Sequence, residues 1–238
     1  AIDVATPALL ELARTANADQ PGRGDWPTWR ALGFECLGAS RFSLSTAGPH
    51  VQLELAQAFA AAPRGLFAAL VRTEGGLPLL RHLLPEGRST WKLGHFDAVA
   101  LFDTILAACE ANDVDTADVR KEMREDLGVD LGDDLLAHMT TEVLLHGASL
   151  ADLDRLDRTP WLLAFRLEDR AAFAASLETA LAHAKPALTR EATVEHGDAR
   201  FYRYGNMLGY DLWFAVGADL FVIAGGEAAE DRLGALFD

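Results

Sequence analysis

The stretch from Trp161 to Gly225 constrains the fold more tightly than any other part of the chain. Trp161, Leu163, Phe165 and Leu167 alternate with Leu162, Ala164 and Arg166, and a period of two places one row of large apolar side chains on one side of a β-strand. This reads as a strand with one buried side. Asp169 then offers a side-chain oxygen to the free amides that begin a helix, and Phe173, Leu177, Leu181 and Ala184 continue on one helical face. Lys185 and Pro186 close that helix. Three strand-like runs follow, Ala192 to Tyr204, Tyr210 to Val216 and Leu220 to Ala224, separated by Gly205-Asn206 and Gly217-Ala218-Asp219. His196-Gly197-Asp198 supplies a hairpin turn inside the first run. The unit is a strand, a helix and an antiparallel meander.

Upstream, the spacing predicts a helix from Pro7 to Asn17 with Leu9, Leu10, Leu12, Ala13 and Ala16 as its apolar face. A helical turn at Trp26-Pro27-Thr28-Trp29 follows, its two tryptophans packed together. Phe34 to Ser45 and His50 to Phe59 alternate as the arms of a hairpin turned by Ala47-Gly48-Pro49. Short helices are expected at Arg64 to Val71, stopped by Gly75-Gly76, and at Leu77 to Leu84 before Pro85. Thr90 to Leu93 reads as a strand. Asp97 caps a helix carrying Leu101, Phe102, Ile105, Leu106 and Cys109, and a highly charged helix covers Ala117 to Leu127. Leu131, Leu135 and Leu136 mark another helix, with Asp133 or Asp134 as its cap, and Thr141 to His146 a strand. The polar run from Ser149 to Arg158 is the natural linker between an N-terminal half, 1–158, and a C-terminal half, 159–238. Trp91, Asp97 and Phe102 recur in order as Trp161, Asp169 and Phe173, a weak internal repeat of strand, cap and helix.

A chain of 238 residues, half of them hydrophobic, is long enough to bury a proper core. Its formal charge of −15 repels phosphate backbones, so nucleic acid is an unfavourable partner. No apolar run approaches the roughly 20 residues that cross a bilayer. The chain starts at Ala1 rather than Met and stops at Phe237-Asp238 inside an apparent helix, so a longer protein is expected. Cys36 and Cys109 set neither a zinc site nor a disulfide framework, and redox compartment stays open.

Arg30-Ala31-Leu32-Gly33-Phe34, Pro63-Arg64-Gly65-Leu66-Phe67, Leu83-Leu84-Pro85, Leu127-Gly128-Val129-Asp130-Leu131 and Asp133-Asp134-Leu135-Leu136 stand in an order that, with the closing meander, resembles a bacterial family of uncharacterised extracytoplasmic proteins catalogued as a domain of unknown function. The resemblance implies an α+β fold behind an export signal or anchor. It brings no catalytic residue with it.

Motifs for chemistry are sparse. Asp126, Asp130, Asp133 and Asp134 carry enough oxygens for calcium but fail the EF-hand spacing, so capping and solvation account for them. The seven histidines, His50, His82, His95, His138, His146, His183 and His196, never fall in a metal-binding helical spacing. Gly38-Ala39-Ser40 lies in a predicted strand rather than a nucleophile elbow. Gly225-Gly226 lacks the rest of a dinucleotide or phosphate loop, and no cofactor or metal is expected.

The aromatics of the meander, Phe201, Tyr202, Tyr204, Tyr210, Trp213 and Phe214, must be divided between two faces, one of them core. Tyr202, Tyr204, Tyr210 and Trp213 are the candidate binding surface. The sequence therefore predicts an α+β protein with a mixed, largely antiparallel curved sheet, helices packed on one side and two related halves. Its expected role is a non-catalytic extracytoplasmic binding or structural module that offers a sheet surface or cleft to a protein or an apolar small molecule. Two alternatives remain open: a hydrolase assembled in space from Ser40, His146 and Asp134, and one segment of a longer assembly protein.

Overall fold

The computed structural model describes residues 2–5, 8, 11, 15, 26–47, 50–70, 91–146, 161–183, 190–205, 211–226 and 229–237. The chain divides into two compact units, Ala1–Val71 with Ala100–Thr116 and Arg72–Val99 with Ala117–Asp238. Expectations for 71–90, for the Gly48-Pro49 turn and for the linker at 149–158 lie outside the described residues. So does the apolar face of the first predicted helix, of which Ala8, Glu11 and Thr15 are helical and exposed. Among the described residues no helix is long and apolar enough to cross a membrane.

The first unit holds β1 (Ile2–Ala5), α1 (Trp26–Ala31), β2 (Leu37–Ala47), β3 (His50–Phe59), α2 (Leu66–Leu70) and most of α3 (Ala98–Glu110). The hairpin forms as its alternation predicts. Its strands do not join the larger sheet; with β1 they make a separate three-stranded antiparallel sheet in the order β1-β2-β3. Two glycines explain why the segments around residues 33 and 65 can meet. Gly33 (φ 86°) and Gly65 (φ 55°) are left-handed, and a Cβ on Gly33 would stand 2.1 Å from the Arg64 carbonyl oxygen. The contact is fixed by the Leu66 N–H donating to the Leu32 carbonyl at 3.1 Å. Around it Phe34 packs edge-on against Trp29 and Phe67, with ring centres 4.5 and 5.4 Å away. Trp29 thus finds Phe34; the side chain of Trp26 lies outside the described residues. In α3, which starts directly after Asp97, Phe102 and Leu106 are buried one turn apart, and the buried Thr104 hydroxyl donates to the Ala100 carbonyl at 2.7 Å.

The second unit is built on β4 (Trp91–His95), β5 (Met139–His146), β6 (Trp161–Leu167), β7 (Arg190–His196), β8 (Ala199–Tyr204), β9 (Leu212–Gly217) and β10 (Leu220–Gly225). They form one seven-stranded sheet in the order β4-β5-β6-β10-β9-β8-β7, with every described pairing antiparallel. The sheet takes strands from both sides of residue 158. Register shifts between Met139 and Val143 and between Arg190 and Ala192 bend β5 and β7. Between the strands lie α4 (Thr116–Leu127), which buries no residue, and α5 (Arg170–His183), and α6 (Ala229–Phe237) follows the last strand. The protein is α+β with a largely antiparallel sheet.

The expectation of one buried side is corrected. Phe165 and Leu167 lie with Tyr202, Tyr204, Val216 and Phe221 on a face covered by Phe173, Leu177 and Ala180 of α5. Leu162 and Ala164, which alternate with them, lie with Phe201, Trp213, Ala215 and Val222 on the opposite face, under Ala229 and Leu233 of α6. Helices therefore pack on both sides rather than one. The physical reason is in β6 and β10: with Leu162 at 2%, Ala164 at 0% and Val222 at 0% exposure, neither face of these central strands is polar enough to be left in water. Asp169 caps α5 as predicted, its Oδ1 accepting from the Ala172 N–H at 3.0 Å.

Candidate functional site

The candidate binding surface is the first correction. Tyr202 and Tyr204 are each 1% exposed and Trp213 is 7% exposed, so none of the three offers a ring to solvent. They do not share a face either. Tyr202 sits opposite Phe214 and Trp213 opposite Arg203 in the β8–β9 register, which puts the tyrosines beneath α5 and the tryptophan beneath α6. The aromatic rows pack against each other instead, Phe214 stacking on Phe221 with ring centres 6.3 Å apart and meeting Tyr204 edge-on at 5.5 Å. Tyr210 lies outside the described residues.

An open groove of ≈ 360 Å³ does exist beside this core, between α5 and strands β8 and β9. Its origin is a difference in side-chain size along one helix. Phe173 and Leu177 fill the space between α5 and the sheet, whereas Ala171, Ala174 and Ala175 offer only methyl groups, and the gap they leave is bounded on the sheet side by the buried Val216 and Tyr202. Charged side chains stand at both ends. Arg170, the first residue of α5, donates through Nη1 to Asp198 Oδ2 at 2.6 Å and lies 3.5 Å from the Ala218 carbonyl. Two helical turns along, Glu178 Oε1 accepts from Arg200 Nη1 at 3.1 Å and from the Tyr202 hydroxyl at 2.8 Å. Arg200 also reaches Glu195 Oε1 through Nη2 at 3.5 Å.

These contacts set the protonation of the groove. Burial, then the hydrogen bond and negative charge of Glu178, push the Tyr202 phenol up to about 12, so it remains a neutral donor. The hydrogen bond from Arg170 holds Asp198 below its ordinary value, and it remains a carboxylate. Two arginines and two carboxylates thus balance around a floor made mainly of alanine methyl groups. Such a surface can recognise by charge and by apolar contact. None of its lining residues is Ser, Thr, Cys, His or Lys.

The acidic group at 126–134 has a structural explanation in part of its members. Asp130, 6% exposed, is the cap, where the sequence pointed to Asp133 or Asp134. Its Oδ1 accepts from the N–H groups of Gly132 and Asp133 at 3.0 and 3.1 Å, while its own N–H donates to Asp134 Oδ2 at 2.8 Å, a reciprocal box at the start of a π-helical turn, Leu131–Leu135. Arg124 meets Oδ2 at 2.5 Å and Arg120 meets Oδ1 at 3.5 Å. Burial works to raise the Asp130 pKa, but the Asp133 N–H, Arg124, the Gly132 N–H and the charge of Arg120 together leave it lowered. Among the described residues no group of three or more His, Cys, Asp or Glu is placed to share a metal ion.

The three residues of the hydrolase alternative each have a local interaction of their own. Ser40 on β2 donates to Gln57 Oε1 across the hairpin, in the first unit. In the second, Asp134 accepts from the Asp130 N–H, and His146 Nδ1 accepts from Arg232 Nη1 at 2.8 Å, so the imidazole carries its proton on Nε2. Gly225 ends β10 and Gly226, left-handed at φ 81°, turns the chain beyond it.

The groove was not visible as a site in the sequence. Its parts were: Arg170, Ala174 and Glu178 recur every fourth residue and so share a helical face, and Arg200 and Tyr202 share a strand face by alternation. Which helix face meets which strand is a tertiary fact that no spacing carries. Compared with known protein families, curated proteins and solved structures, the chain finds no match.

Proposed function

We propose that the protein is a non-catalytic binding module that acts outside the cytoplasm, and that it holds its ligand in the groove between α5 and the β8–β9 strands. The observation that supports the reading is the make-up of that groove: the methyl groups of Ala171, Ala174 and Ala175 between two arginine–carboxylate pairs. Its volume of ≈ 360 Å³ falls in the range of about 300–1,000 Å³ typical of small-molecule sites. Its two carboxylates are each engaged by an arginine, and its one phenol is held protonated to about pH 12 and donates to Glu178. The extracytoplasmic placement rests on the family resemblance of the Arg30–Phe34, Pro63–Phe67 and Leu127–Leu136 segments.

A thermal-shift screen of a small-molecule library tests the binding role. Ligands should raise the melting temperature of the wild type and lose that effect in Ala175→Phe, which fills the groove from an exposed helix position. A screen without hits, or hits that stabilise both proteins equally, would remove the groove from the account. Fractionation of the full-length gene product tests the compartment, and recovery in the cytoplasm alone would contradict it.

A further inference from the structure

Resting on that reading of the groove, we infer that its ligand is a small amphipathic monocarboxylate, the head bound by Arg170 and the apolar body laid on the methyl groups of Ala171, Ala174 and Ala175. Donors and acceptors are used unevenly at the two rims. A guanidinium has five N–H donors in a fixed fork. Arg170 directs only Nη1 at Asp198 and the Ala218 carbonyl, and among the described residues its Nη2 and Nε have no partner. Those two nitrogens form one edge of the fork, the edge that takes a carboxylate through two parallel hydrogen bonds.

Both carboxylates already hold donors. Glu178 Oε1 already holds both Arg200 and the Tyr202 hydroxyl, and Asp198 accepts from Arg170 and from the Ala218 N–H. An ammonium group would therefore meet occupied carboxylates and two guanidinium groups, whereas a carboxylate meets spare donors. One free edge suits one negative charge, and a chain of net charge −15 disfavours a multiply charged anion at long range. Between the rims, Arg170 and Glu178 are eight residues apart, about 12 Å along the helix at 1.5 Å per residue. A body of several carbons fits that length, and burying it adds apolar contact that a head group alone lacks.

Calorimetric titration of the intact chain with sodium hexanoate, sodium acetate and hexylamine hydrochloride tests the assignment. Hexanoate should bind saturably, acetate at least about tenfold more weakly for want of a body, and hexylamine not at all. Arg170→Gln should weaken hexanoate about tenfold or more, the size of a lost hydrogen-bonded charge partner, and Arg170→Lys should recover only part because it keeps the charge and loses the fork. The side chain of Arg170 is 42% exposed, so both variants are expected to melt within a few degrees of wild type, which a thermal scan confirms alongside. Hexylamine binding as well as hexanoate, an unchanged affinity in Arg170→Gln, or no hexanoate binding at all would each overturn the carboxylate assignment. If hexanoate fails while screened ligands are still blocked by Ala175→Phe, the groove stands and only the ligand class falls. If hexanoate binds Ala175→Phe as tightly as wild type, both fall.

Discussion

Leu233→Ala measures whether the second face of the large sheet is a true core. Leu233 on α6 is 0% exposed and packs with Leu144, Leu162, Phe201, Trp213 and Val222. Truncation removes three buried carbons at about 0.8 kcal/mol each, or about 2.4 kcal/mol of transfer energy. The cavity left beside rigid strands adds to this, so the loss should be about 3–4 kcal/mol. Against a total stability of about 5–15 kcal/mol, that is a large fraction. Urea unfolding followed by far-UV circular dichroism and tryptophan emission should show a lower midpoint with an unchanged slope, because the surface exposed on unfolding is the same. Ile105→Ala on α3, at a side chain 45% exposed, is the control and should stay within about 0.5 kcal/mol. A Leu233→Ala midpoint equal to that of the control would refute the two-faced core, and the one-sided sheet read from β6 would return.

Three further predictions concern titrating groups. Asp130→Ala should cost about 1–2 kcal/mol by thermal or urea unfolding, since it removes a cap worth about 1 kcal/mol together with its ion pair to the exposed Arg124. Because the Asp130 pKa is lowered by folding, its contribution is present above the ordinary carboxylate range and lost as pH falls through the folded value; the variant should show a flatter acid limb. Tyr202 has the opposite sign: its pKa is raised to about 12, so the stability linked to it is full below pH 10 and lost as pH rises through 12, and Glu178→Gln should bring the phenol down in an ultraviolet titration. His146 is lowered by burial and by the charge of Arg232, which means that folding favours its neutral form and that stability declines as pH drops below its ordinary 6.5. Arg232→Gln should reduce that decline, and an equally steep pH dependence between 6.5 and 5 in the variant would count against the pairing.

Much of the fold was legible because local physics dominates where it was read. The alternation in Trp161–Leu167, the oxygen of Asp169 and the glycine-bearing turn at 217–219 each specify one conformation with little help from the rest of the chain. β1 escaped notice because four residues carry too short a pattern. The cap at Asp130 was placed three or four residues late, because a π-helical turn starts earlier than the spacing of Leu131, Leu135 and Leu136 implies for an ordinary helix. Alternation tells which side chains share a face and says nothing about what covers it. Tyr202 and Trp213 were therefore read as one candidate surface although they belong to two buried layers, and Leu162 and Ala164 looked like an outer row until α6 was seen to lie on them. The groove was hidden for the same reason. Its alanines read as good helix formers, and only the distance from α5 to Tyr202 and Val216 turns them into a space.

Chemical-shift mapping by ¹⁵N–¹H correlation spectra, with sodium hexanoate titrated into the wild type, is the most direct test of where this molecule binds. The account predicts saturable shifts confined to amides near 170–178, 198–202 and 216, with the α6 face silent. Saturable shifts centred on the α6 face or in the hairpin of β2 and β3, with the groove amides unmoved, would contradict it.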